Sequence, residues 1–177
     1  FFLNLKRNLD PLPTNLLGMT STTNPTLEIT ELNGNSYTLD DLSTMFTGVW
    51  IVLPSRGEAK DYEKVAQTIF KTFGDSDARC AILVPGDLRA ASLVKDSLDI
   101  NVQYFIDEGF KICDALGITE LPALVHIRQD TSVANIANGF DVENWNQVCK
   151  KIAKALRWTS PNFGDFVNMT KSAYPVK

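Results

Sequence analysis

The chain has 177 residues but only one histidine, His126, and three cysteines, Cys80, Cys113 and Cys149. A single histidine excludes any site built on two, such as a His-x-x-x-His zinc site. No two cysteines stand in a Cys-x-x-Cys pair, so zinc ribbons and dithiol redox motifs are excluded on spacing. Three scattered cysteines cannot form a disulfide framework, and the odd number leaves a free thiol in any monomer, which favours a reducing compartment. A basic excess is missing too. Lys and Arg number 17 against 21 Asp and Glu, for a net charge of −4, so neither nucleic acid nor an anionic membrane is an expected partner. No apolar run reaches the roughly 20 residues needed to span a bilayer. The residues imply neither a metal nor a cofactor. No signal-peptide pattern is visible, an upstream segment stays open because the chain starts at Phe1, and the expected location is cytoplasmic.

What is present alternates between strand and helix patterns. Residues 1–26 are broken by Pro11, Pro13, Pro25 and Gly18, yet they are apolar enough to be expected as an arm across the domain or a partner chain. Residues 27–32 alternate as a half-buried strand, Asn33-Gly34 signals a hairpin, and residues 36–38 return. Asp40 is the expected cap of a short helix through Phe46. Residues 49–53, Val-Trp-Ile-Val-Leu, form a continuous apolar run, as in a strand covered on both faces. After the loop 54–57, a helix is expected with Tyr62, Val65, Ala66, Ile69 and Phe73 on one face. Strands follow at 80–84, 102–106, 123–127 and 133–137. Helices follow at 88–98 (capped by Asp87, with Leu88, Ala91, Val94 and Leu98 inward), 110–116 and 142–156. Strands alternating with helices imply βαβ units and a largely parallel central sheet, closed by an antiparallel last pair. Residues 159–177 are expected as a tail that docks through Phe163, Phe166 and Tyr174.

This order of elements, with three local segments, resembles the thioredoxin-like superfamily over residues 27–158. The likeness is nearest to the branch of alkyl hydroperoxide reductase-type peroxiredoxins and TlpA-like thiol reductases. The segments are 32–42, with Asn33-Gly34 and Leu39-Asp40-Asp41-Leu42; 105–118, from Phe105-Ile106-Asp107 to Leu116-Gly117-Ile118; and Leu121-Pro122-Ala123-Leu124-Val125-His126-Ile127 with Asp130 and Gly139. The resemblance implies an α/β thioredoxin-like fold, a mixed sheet flanked by helices with an N-terminal β-hairpin. It also implies a cis Leu121–Pro122 bond that faces the active-site loop and helps to bind an extended substrate strand. X–Pro is the only kind of bond that adopts cis cheaply, at about 0.5–1 kcal/mol.

The family's catalytic residues do not carry over. The two positions of a thioredoxin-type Cys-x-x-Cys correspond to Gly57 and Lys60. In a peroxiredoxin-type Pro-x-x-x-Thr-x-x-Cys counted from Pro54, Thr becomes Glu58 and Cys becomes Asp61. None of these side chains can do thiolate chemistry. The expectation is a redox-inactive thioredoxin-like domain that binds a protein segment or self-associates, through Ser55, Arg56, Gly57 and Glu58 on one side and Leu121 and Pro122 on the other. In that loop Ser55 would cap the following helix and Glu58 would suit its positive end, and the helix start with Arg56 would favour an anion. The alternative is a thiol-dependent peroxidase or disulfide reductase using one displaced cysteine, Cys113 or Cys80. Cys80 and Cys149 fit as small core hydrophobes, His126 as a structural residue, and Lys150, Lys151, Lys154 and Arg157 as a solvated face.

Overall fold

The computed structural model describes residues 23–55 and 57–177. Arg56, and the expected arm up to residue 22, lie outside the described residues. Seven strands form one sheet: β1 (Glu28–Glu31), β2 (Ser36–Thr38), β3 (Thr47–Val52), β4 (Ala78–Pro85), β5 (Gln103–Asp107), β7 (Ala123–Ile127) and β8 (Val133–Asn138). Their spatial order is β2-β1-β5-β4-β3-β7-β8. Two further short strands, β6 (Glu120–Leu121) and β9 (Tyr174–Pro175), pair with each other.

The sheet is mixed, as the resemblance implies, rather than largely parallel as the alternation of elements alone implies. Only β3–β4 and β4–β5 are parallel. β1–β2, β1–β5, β3–β7 and β7–β8 are antiparallel. The hairpin and the antiparallel last pair are as expected; the alternation of strand and helix does not register that β1 joins β5, and β7 joins β3, in the opposite sense.

Every residue of β3 is buried. Its side chains alternate between two cores. Val49 and Ile51 pack beneath α2 (Glu63–Phe73), α3 (Leu88–Ser97) and α5 (Val142–Leu156), while Trp50 and Val52 pack beneath α1 (Leu39–Ser43) and α4 (Lys111–Leu116). The helices are set by their caps. Asp87 accepts the Ala90 N–H at 2.9 Å, and Asp141 accepts that of Glu143 at 3.0 Å. For α1 the cap is Thr38, not Asp40: its hydroxyl takes the Asp41 N–H while the Asp41 carboxylate takes the Thr38 N–H. This reciprocal box satisfies two free donors at once and outcompetes a lone aspartate two residues on. Leu88, expected inward, is 56% exposed at the first position of α3.

Residues 157–177 continue as part of the packed molecule. Phe163 and Phe166 are buried in the core beneath α2, and the Trp158 indole donates to the Thr72 carbonyl at 2.7 Å. No helix among the described residues is long and apolar enough to cross a membrane.

Ile51 is wholly buried in the core beneath α2, α3 and α5. Ile51→Ala is expected to cost about 2–5 kcal/mol, seen in urea unfolding as a lower midpoint with an unchanged slope.

Candidate functional site

Register brings Ser55 and Glu58 to the same cleft as Leu121. Val52 of β3 lies opposite Ala123 of β7 in an antiparallel pair. The chain leaving β3 therefore runs beside the chain entering β7, and the loop 54–58 meets Leu121-Pro122. Val52 also pairs with Leu83, and Pro85 with Asp107, in parallel. The ends of β4 and β5 so reach the same level, where α/β sheets present their clefts. A cleft of about 230 Å³ results, lined by Pro54, Ser55, Glu58, Pro85, Gly86 and Leu121 from these ends, with Phe110 at the head of α4. Gly86 has φ +143°, and a Cβ there would lie 3.0 Å from the Ala90 Cβ, so glycine lets the β4 end turn against Ser55.

Ser55 and Glu58 line this cleft, and Gly57 is exposed at its rim. The expected helix start at 55–58 does not form. A 3-10 turn, Gly57–Tyr62, comes first, and α2 begins only at Glu63 with no side-chain cap. Ser55 is therefore not its cap, and the α-helical N-terminus does not point an anion site at the loop. Within the turn Ala59 and Tyr62, one 3-10 turn apart, are both inward. Glu58 keeps one carboxylate oxygen buried without a hydrogen-bond partner among the described residues.

Leu121 and Pro122 are buried, and the peptide bond between them is cis. One side of β6 is held by the end of β8: Asn138 Oδ1 takes the Thr119 N–H at 2.9 Å, and Gly139 N–H donates to Glu120 O at 3.3 Å. The other side is occupied by β9, with Leu121 opposite Tyr174 and Glu120 opposite Pro175. Tyr174, Pro175, Val176 and Lys177 thus form a wall of the cleft. Sequence reasoning missed this wall, together with Phe110 and Pro85-Gly86. The available signal was the alternation of Tyr174 and Val176 with Pro175 and Lys177, a two-residue period in a segment taken as a tail.

The cysteines lie elsewhere. All three are free. Cys80 is partly exposed on β4, five residues before Pro85 and so roughly 16 Å down the strand from the cleft. Burial pushes its thiol up to about 12. Cys113 is fully buried near the start of α4, a position that ordinarily favours a thiolate. Here the Asp107 carboxylate already takes the N–H groups of Ile112 and Cys113 at 2.9 and 2.8 Å. Burial first, then that negative charge, push the Cys113 thiol up, and burial does the same for Cys149.

His126 is buried at the opposite end of β7. The Thr47 hydroxyl donates its one proton to the Ile127 carbonyl at 2.6 Å. Its 2.7 Å contact with His126 Nε2 therefore uses the imidazole N–H as donor. Nδ1 is left buried without a partner among the described residues. Burial, then Arg128, push the His126 pKa down to about 4. Among the described residues no group of His, Cys, Asp and Glu is arranged to hold a metal ion.

No protein-family model matches the chain, and no curated protein does. Solved structures do. DsbF of Mycobacterium tuberculosis, in mixed oxidized and reduced forms, is 12% identical with a TM-score of 0.60, over 75% of this chain and 96% of that one. The exposed lipoprotein thioredoxin Etrx1 of Streptococcus pneumoniae is 19% identical with a TM-score of 0.54, over 70% and 97%. The bacterioferritin comigratory protein of Xanthomonas campestris, studied for alkyl peroxide reduction, is 11% identical with a TM-score of 0.62, over 79% and 97%. At such identities the likeness is one of fold: the chain has the thioredoxin-like fold.

Two measurements follow from the titratable groups. Under native conditions a small alkylating reagent is expected to modify Cys80 alone and slowly, with Cys113 and Cys149 labelled only after unfolding; fast labelling of Cys113 at neutral pH would contradict its burial. His126 binds a proton near pH 6.5 when unfolded and only near pH 4 when folded. Between those values the unfolded chain holds more protons, so stability rises with pH. About 3 kcal/mol is expected to be present above pH 6.5 and to be lost as the pH falls through 4. His126→Leu should flatten that part of the stability–pH curve.

Proposed function

We propose that this protein is a redox-inactive thioredoxin-like module that binds an extended protein segment at the cleft between the loop 54–58 and Leu121-Pro122. The observation that carries this reading is the strand pairing at Leu121. The backbone beside Pro122 holds an extended chain by β-augmentation, the mode in which main-chain bonds supply affinity and alternate side chains fill pockets. By the resemblance, the positions where a thioredoxin-like enzyme would carry its thiols hold Gly57 and Lys60, or Asp61, and among the described residues no sulfur lines the cleft. The net charge of −4 fits a protein ligand better than a nucleic acid. Unpaired thiols fit a reducing, cytoplasmic setting.

The thiol-enzyme alternative draws no support from the site. A reactive cysteine needs a depressed pKa and access. Cys113 has neither, and Cys80 is raised and distant.

The test is a selection of extended peptides from a display library on the intact chain, followed by titration. Selected peptides are expected to lose at least tenfold in affinity on Ser55→Trp, which fills the cleft, with the melting temperature kept. Affinities that ignore this change place binding elsewhere. In parallel, the protein should not accelerate dithiothreitol reduction of insulin above the uncatalysed rate. An acceleration that Cys80→Ala or Cys113→Ala removes would reinstate the thiol enzyme.

A further inference from the structure

The strand that lines the candidate cleft belongs to the chain itself. Residues 172–177 alternate in burial: Ser172, Tyr174 and Val176 are half-buried, while Ala173, Pro175 and Lys177 are exposed. That is the pattern of a strand laid on a surface. Tyr174 packs against both cores at the sheet's end, and Val176 against the one beneath α4. Lys177 reaches Asp114 at 3.5 Å and lies 6.0 Å from the centre of the Phe110 ring. The segment therefore makes the contacts that a bound strand would make, in register with Leu121 and Glu120.

Its two ends are held very differently. Up to Ser172 the chain is anchored. Phe163 and Phe166 are buried, Phe140 and Ser172 exchange two backbone hydrogen bonds of 2.7 and 3.0 Å, and the Tyr62 hydroxyl bonds the Ser172 hydroxyl. The chain also crosses Gly139 at close range. A Cβ there would lie 3.1 Å from Ser172 O and 3.2 Å from the Ala173 Cβ, at φ +72°. Beyond Ser172 the attachment is slight. The ladder has two residue pairs. Pro175 has no N–H to give it. The Lys177–Asp114 ion pair is exposed on both sides, at 64% and 62%, and such pairs hold little. The chain thus has a fixed base at Ser172 and a weakly held end over the cleft. Segments with few buried contacts and exposed backbone bonds are the first to open.

We infer that residues 173–177 are an intramolecular ligand of the cleft, which an incoming extended segment must displace. This rests on the strand-binding reading above and specifies how that site is regulated. The covalent tether holds the competitor at an effective concentration in the millimolar range, so an outside strand of equal affinity is excluded until it exceeds that level.

The test uses a fluorescent peptide with the sequence of residues 172–177, titrated against three proteins: the intact chain, the chain ending after Ser172, and intact-length Val176→Asp. The last places a charge against the apolar surface beneath α4 without shortening the chain. Unchanged circular dichroism and cooperative melting establish that each is folded. The expected result is binding to the shortened chain and to Val176→Asp at least tenfold tighter than to the intact chain. Equal binding to all three would overturn the intramolecular ligand and leave the strand-binding cleft standing. Binding to none of three folded proteins would overturn both.

Discussion

The molecule is organised by the burial of β3 on both faces. A strand whose six residues are all inside needs a layer of helices on each side and a hydrogen-bonded neighbour on each edge. β4 supplies one edge in parallel and β7 the other in antiparallel. Parallel pairing on one side and antiparallel pairing on the other make the end of β3 the point where three chain segments meet. The loop 54–58, the β4 end at Pro85-Gly86 and the approach to β7 through Pro122 have no choice but to face one another there. The cleft is a consequence of register, and no side chain within it is needed to create it. The frame does not depend on Gly57, Lys60 or Asp61: neither core uses those positions.

The same separation governs the cysteines. Cys113 sits where a helix start could have stabilised a thiolate, but the free N–H groups of that start are spent on Asp107. A carboxylate in that place fixes the turn from β5 into α4 and opposes a second negative charge beside it. Structural capping and thiol activation compete for the same donors, and here capping has them. Cys149 is enclosed under α5 and Cys80 lies far down β4, so both serve packing.

Much of this was legible along the chain because it is local. The apolar run at 49–53, the Asn33-Gly34 turn, the cap at Asp87 and the helix at 142–156 all follow from neighbours within a few residues. The departures come from choices between competing local solutions or from distant partners. Thr38 displaced Asp40 because a reciprocal box satisfies two donors. At Gly57–Tyr62 a 3-10 turn stands where the helix start was expected. The sheet's mixed sense depends on β1 joining β5, a pairing between residues some 75 apart in sequence. At the candidate site, the loop and the Leu121-Pro122 turn were identifiable from the motif. Phe110 and Tyr174 were not, since nothing near them in sequence says that a strand from residue 174 will lie against residue 121.

That strand also resolves a difficulty the fold creates. β6 is two residues long and presents an unpaired backbone edge beside a buried apolar surface, the combination that draws in stray chains. Pairing it with β9 protects it. Permanent protection would call for a long strand with a full ladder and a large apolar face. What covers β6 instead is two residue pairs, one of them with a proline, ending in an exposed ion pair. The cover is sufficient against weak, non-specific pairing, because a tethered strand has a concentration advantage over any free one. It is insufficient against a segment that fills the pockets of Tyr174 and Val176 better than they do. A protective strand of that strength sets a threshold for entry, and specificity then follows from which extended segments can exceed it.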